Sequence, residues 1–415
     1  MGNSSKQWLL SAAMIVVGLA VILAIGYVRL DQARKSIDAA SGSSLGVHPA
    51  SDSNQDIDPG TFAGNTPAPD FHLVNQIGRE TSLAQFRGKV VLIAFIDSQC
   101  TTVCPLTTES MVEALRLLGP PAIDVQLLGI NANQLALKVS DVAAYTRAHD
   151  MKGKWEFLTG SLPQLEKVWR EYHVYVSAIH NDIDHQPAMV LVDTLGRERK
   201  VYLTQMSYEG VAPQAQILAD DIGEVLPGRP REPQRVSLEY VPPIEPTAGT
   251  ELMPVGSSER KIAVGGPHAQ LLLFFASWLD QTSNVNASLR DLDRYAAGAW
   301  RKGWPSPVAV DELTTESSSA SARKTMEQLS SEIHTPIIED ANGRLADGYQ
   351  VQDLPWYSLR SADGKIIWSH DGWLSSTELQ RQIRVAVAQN ARREHSAAQT
   401  KAAAGESRGR TPAAN

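Results

Sequence analysis

Residues 90–96 read Val-Val-Leu-Ile-Ala-Phe-Ile, seven apolar residues without a polar interruption. A strand with one face in water would alternate, so this run predicts a strand buried on both faces and covered by helices. Residues 271–275 make the same demand later in the chain. Around the first run lie a strand signal at 71–74, a helix from Pro105 to about Leu118 and a second buried strand at 125–130. Helical patterns follow at 140–149 and 162–173, then a hairpin of 189–192 with 200–203 about Gly196. A last helix carries Leu218, Ile222 and Val225. The second run repeats that order. A helix bearing Val285, Leu289, Leu292 and Ala296 precedes a strand at 308–310 and a helix marked by Met326, Leu329 and Ile333. A hairpin turning at Asp363-Gly364 follows. Ser375 and Glu378 form a capping box for the final helix, whose core face is Leu379, Ile383 and Val387. The fold class expected is α/β, with two tandem domains of thioredoxin type.

The 415 residues suffice for two domains and their connections. Residues 8–28 are apolar, broken only by Ser11 and small glycines, and about 20 such residues cross a bilayer core. Residues 1–30 are therefore read as a retained membrane anchor with a single transmembrane helix, because a cleavable signal has a shorter apolar stretch and a small-residue cleavage site. Residues 31–65 form a polar tether. Proline-rich residues 227–250 separate domains at 66–226 and 251–392, and residues 393–415 read as a disordered tail. The second domain is expected to fold alone. With 46 acidic against 38 basic side chains, a net charge of −8 argues against nucleic acid as a partner.

Only two cysteines occur, Cys100 and Cys104 in Cys-Thr-Thr-Val-Cys-Pro. They exclude a disulfide-stapled scaffold and a four-cysteine zinc site. The pair lies between a buried strand and a helix that Pro105 is expected to open at its first position, where amides and the dipole stabilise thiolate. Two thiolates alone suit disulfide exchange. With one imidazole they make a three-donor site suited to Cu(I), whereas structural zinc usually wants about four protein ligands. Of ten histidines, His185 is placed best, in Asp-His-Gln-Pro just before the strand at 188–192. His180 is read as an ordinary surface or core histidine.

The residues 86–92, the Cys100–Pro105 motif, Leu158-Thr159-Gly160 and Asp184-His185 together resemble the Sco/SenC copper-chaperone family over about residues 66–226. That resemblance implies a membrane-anchored thioredoxin-like domain binding copper, Cu(I) or Cu(II), through Cys100, Cys104 and His185. It also implies a part in assembling the copper-A centre of cytochrome c oxidase. The partner would be the oxidase subunit carrying that centre, or another copper or thiol protein. Some relatives look more like thiol–disulfide reductases, which keeps a Cys100/Cys104 oxidoreductase as the alternative. Where the family usually has Asp-Pro, this chain has Asn131-Ala132. The second half resembles membrane-anchored TlpA-type thioredoxins without their thiols. Leu279 and Thr282 stand at the cysteine positions, and Leu354-Pro355-Trp356 resembles the cis-proline loop. Trp278, Trp356 and Trp368 are read as core or rim aromatics, and the half as a docking domain.

Flanking charges alone would put the globular part in the cytoplasm: Lys6 precedes the span, and Arg29, Arg34 and Lys35 follow it. Thiol and copper chemistry, and the family resemblance, call instead for the periplasmic side of a bacterial inner membrane. No leader of mitochondrial type precedes the span.

Overall fold

The computed structural model describes residues 57–408, apart from 180–181, 205–206, 229–232, 234, 236–241, 258–260 and 282–283. The expected anchor, most of the tether, His180 and Thr282 lie outside the described residues. Among the described residues no helix is long and apolar enough to cross a membrane.

The first half runs β1 (Thr61–Phe62), β2 (His72–Asn75), β3 (Glu80–Ser82), β4 (Val90–Ile96), α1 (Val103–Leu118), β5 (Val125–Asn131), α2 (Val139–Ala148) and β6 (Trp155–Thr159). It continues with α3 (Leu162–Glu171), β7 (Val176–Ile179), β8 (Asp182–His185), β9 (Ala188–Val192), β10 (Glu198–Leu203) and α4 (Val211–Val225). The second half runs β11 (Thr250–Leu252), β12 (Ile262–Val264), β13 (Gln270–Phe275), α5 (Val285–Lys302), β14 (Ser306–Glu312) and α6 (Ser319–Ser330). It ends with β15 (Ile337–Asp340), α7 (Arg344–Gly348), β16 (Trp356–Arg360), β17 (Ile366–Asp371) and α8 (Ser376–Arg408).

The large sheet has the order β1-β10-β9-β4-β5-β6-β2-β3, and the second sheet β15-β14-β13-β16-β17. Strands β4, β5 and β6 are parallel, as are β13, β14 and β15. Strands β9 and β16 join β4 and β13 antiparallel, each followed by an antiparallel hairpin partner. The same five-strand order thus recurs in both halves. Successive side chains of β4 point to opposite faces. Val90, Leu92, Ala94 and Ile96 pack with Met111, Leu117, Leu218 and Ile222, while Val91, Ile93 and Phe95 pack with Leu165, Val168 and Trp169.

The halves share a core. Leu106, Tyr208 and Val211 of the first half pack among the buried residues of the second. Helix α1 is consequently covered on both sides, and even Thr107, Thr108, Glu109 and Ser110 are buried. Asp347 accepts the N–H groups of Tyr208 and Glu209, each at 2.9 Å. The Ser317 hydroxyl donates to the carbonyl of His149.

Two expectations are corrected. Pro105 is the third residue of α1, which opens at Val103. Its missing N–H still falls among the four unpaired donors of a first turn, so the helix tolerates it. The tail expected to be disordered from 393 continues α8 to Arg408. An apolar face is not needed to extend a helix already nucleated by the buried turns at Leu379 and Ile383. The added residues are rich in alanine and other helix formers, with side-chain bonds from Asn390 to Glu394 and between His395 and Gln399.

Candidate metal centre

The C-terminal end of β4 leads through Asp97 into the loop that carries Cys100, and α1 then carries Cys104 in its first turn. Asp97 shapes that loop. Its Oδ1 accepts the Gln99 N–H at 2.8 Å and the Asn133 side-chain amide at 2.6 Å, and its carbonyl accepts the Cys100 N–H at 3.2 Å. Burial raises its pKa, opposed by those bonds and by His185. Both cysteines are free thiols; Cys104 is buried and Cys100 partly exposed. Cys100 is held below the usual thiol range chiefly because Cys104 donates to it, against the effect of burial. Cys104 is pushed well above that range by its burial.

His185 ends β8, one strand of a short ribbon formed with β7. Its Nε2 lies 3.6 Å from Cys104 Sγ, and its Nδ1 is 3.2 Å from the Gln186 carbonyl oxygen. A carbonyl only accepts, so Nδ1 carries the proton and the Nε2 lone pair faces sulfur. Burial lowers the His185 pKa, which keeps that lone pair available. The structure therefore brings Cys104 and His185 together, with Cys100 beside Cys104. Among the described residues no group of three or more His, Cys, Asp or Glu side chains is yet gathered tightly enough to hold an ion. The donor set still fits a soft, low-coordinate ion, for which a thiol pair with one imidazole suffices.

Asn131 is fully buried at the end of β5 and acts on the site through a chain of amides. Its side-chain nitrogen donates to the Ala136 carbonyl at 2.7 Å, and its oxygen accepts the Asn133 N–H at 3.1 Å. An aspartate could make only the second bond. Asn133 then holds Asp97, whose carboxylate is one of the charges beside the thiols. Asp97 carried no sequence signal beyond closeness to the cysteine motif, and Asn133 none beyond closeness to Asn131-Ala132.

A cavity of about 340 Å3 opens on Cys100, lined by Asp97, Asp182, Asp184 and His185 on one side and by Asp353 from the second half. In that half Leu279 is buried, Leu354-Pro355 is a cis peptide, and Trp278 is buried against His149 with ring centroids 4.6 Å apart. Trp356 and Trp368 pack at the rim of the core.

The family model described as SCO1/SenC matches residues 61–219. Residues 61–219 are thus similar to the SCO1/SenC family. The mitochondrial SCO2 homolog of Bos taurus is 33% identical to this chain over 150 residues, covering 34% of this chain and 56% of the relative. The chain thus spans little more than half of that relative's length. The SCO1 protein homolog of Bacillus subtilis (strain 168) is 27% identical over 137 residues, 32% of this chain and 71% of the relative. The structure of Bradyrhizobium japonicum ScoI with copper bound aligns at 24% identity with a TM-score of 0.33, covering 39% of this chain and all of that one. The matched segment contains all three candidate donors.

Proposed function

We propose that this chain is a copper carrier of Sco/SenC type, and that Cys100, Cys104 and His185 hold one copper ion as cargo. The observation that carries the reading is the 3.6 Å approach of His185 Nε2 to Cys104 Sγ beside a second thiol. The match of residues 61–219 to the SCO1/SenC family model supports it. The thiolates are the soft donors for Cu(I), and the imidazole suits Cu(II) as well. The acceptor is the cytochrome c oxidase subunit that carries the copper-A centre, and the protein is not itself an enzyme. A thiol–disulfide oxidoreductase would need no imidazole at Cys104. The second half is a thioredoxin-like domain without thiols, spanning 251–392 and joined to the first by the stretch at 227–250. An anchor at residues 1–30 would hold the globular part on the periplasmic side of the inner membrane. A reporter enzyme active only outside the cytoplasm, fused to the C-terminus, should be active there.

The deciding experiment measures copper stoichiometry of the full chain under anaerobic reducing conditions, alongside a thiol-exchange assay. One copper per chain is expected, lost on changing either cysteine to serine. His185→Ala should weaken binding, Cu(II) most. A chain that exchanges thiols briskly and takes up no copper would refute the carrier reading.

A further inference from the structure

The loop at Asp353 belongs to the half without thiols, yet it forms a wall of the cavity that opens on Cys100. Leu354 roots it in the core of the second half at 1% exposure, and the Gly372 N–H donates to the Pro355 carbonyl at 2.9 Å. Asp353 reaches from this fixed base to the first half, where its Oδ1 accepts the hydroxyl of Thr101, the residue after Cys100. The same oxygen accepts the Leu354 N–H at 2.7 Å. Cys104 has no exposed surface, so reagents meet the thiol pair at Cys100. The cavity walls there include Asp97, Asp182, Asp184 and Asp353, with no lysine or arginine among the described lining residues. A concave wall with charge of one sign focuses its field on whatever enters.

Resting on the copper reading, we propose that Asp353 is a positioning and specificity-determining residue for the thiol pair. By taking the Thr101 hydroxyl it holds the cysteine loop against the second half. By lining the cavity it slows anionic thiol partners and anionic copper carriers relative to neutral or cationic ones. The half without thiols thus works as a fixed jaw of the first half's site.

The test uses the reduced full chain near neutral pH and two disulfide probes, dianionic 5,5′-dithiobis(2-nitrobenzoate) and uncharged 4,4′-dithiodipyridine. Asp353→Asn keeps the size and the acceptor for Thr101 but removes the charge, so the ratio of anionic to neutral rate should rise at least about threefold. Thr101→Val keeps the charge but frees the loop, so both rates should rise with their ratio unchanged. A ratio that Asp353→Asn leaves at the wild-type value would overturn the specificity role. Unchanged rates in Thr101→Val would overturn the positioning role. Near-UV circular dichroism checks the fold, since a disrupted one would raise both rates alike in Asp353→Asn. Copper stoichiometry of the wild type is scored separately: a chain that binds none refutes the carrier reading, while the rate ratio still decides the part of Asp353.

Discussion

The imidazole of His149 and the indole of Trp278 stand 4.6 Å apart between centroids, tilted by 43°, across the seam between the two halves. The ring of Tyr145 also packs against the imidazole, at 4.2 Å between centroids. In that setting burial holds the His149 pKa down to about 3, against an ordinary 6.5. Along the same seam burial raises Glu109 to about 7 from 4.5.

These two groups give the stability of the chain opposed pH dependences. His149 binds its proton less readily when folded, so its contribution is present above pH 6.5 and is lost as pH falls toward about 3. Glu109 binds its proton more readily when folded, so its contribution is full below pH 4.5 and gone above about 7. At about 1.4 kcal/mol per pKa unit, each effect is on the order of 3–5 kcal/mol. Unfolding midpoints in urea across this range are the check. His149→Phe should flatten the acid limb while keeping an aromatic ring against Trp278. Glu109→Gln should gain stability over the wild type as pH rises from 4.5 to 7. Variant curves that run parallel to the wild type would refute the assignment.

Gly343 offers a way to force the halves apart. Its φ is +74°, and a Cβ there would lie 2.3 Å from Tyr208 Cβ, 2.4 Å from the Tyr208 carbonyl carbon and 2.7 Å from the Glu209 nitrogen. Those atoms are backbone or rooted on it, and Asp347 pins the two N–H groups. Gly343→Ala should cost about 3 kcal/mol, combining overpacking with a left-handed conformation that alanine resists. The variant should also be cut faster by protease within residues 227–250. A melting temperature equal to the wild type would mean that the seam is looser than this contact implies.

What was legible in the sequence was the part written in apolar periodicity. The seven-residue run of β4 and its helices was readable because both faces of that strand are apolar. Strand β6 was missed because Glu156 interrupts it; that carboxylate accepts the Asn75 side-chain amide and the Thr81 hydroxyl across the sheet. The β7–β8 ribbon was missed because much of it is exposed, so alternation carries no signal. The nearness of His185 to the thiols was still readable, from its place before β9. Asp353 was not, because the contact with Thr101 joins residues 252 positions apart, and no local pattern encodes such a pairing. Burial of Glu109 on α1 was equally hidden. A polar residue on a helix face reads as solvated until a second domain covers it.

The two thiols should be chemically unequal, and the inequality is measurable without copper. Cys104 donates to Cys100 and so favours the Cys100 thiolate, with Thr102 adding to the effect and burial opposing it. Cys104, enclosed by the core, is pushed the other way. At neutral pH the first equivalent of iodoacetamide should therefore modify Cys100, as read from peptide masses, because thiolate is the nucleophile. Cys104→Ala removes the donor, so the inflection in the pH profile of Cys100 alkylation should move to higher pH. The rate near pH 7 should fall several-fold, while the plateau at high pH stays close to the wild type. Asp97 lies beside both thiols, so an Asp97→Asn control, expected to ease ionisation of Cys104, separates the field of that carboxylate from the thiol–thiol bond. If Cys104 is modified first, or if its removal leaves the Cys100 profile in place, the two sulfurs do not act as donor and acceptor.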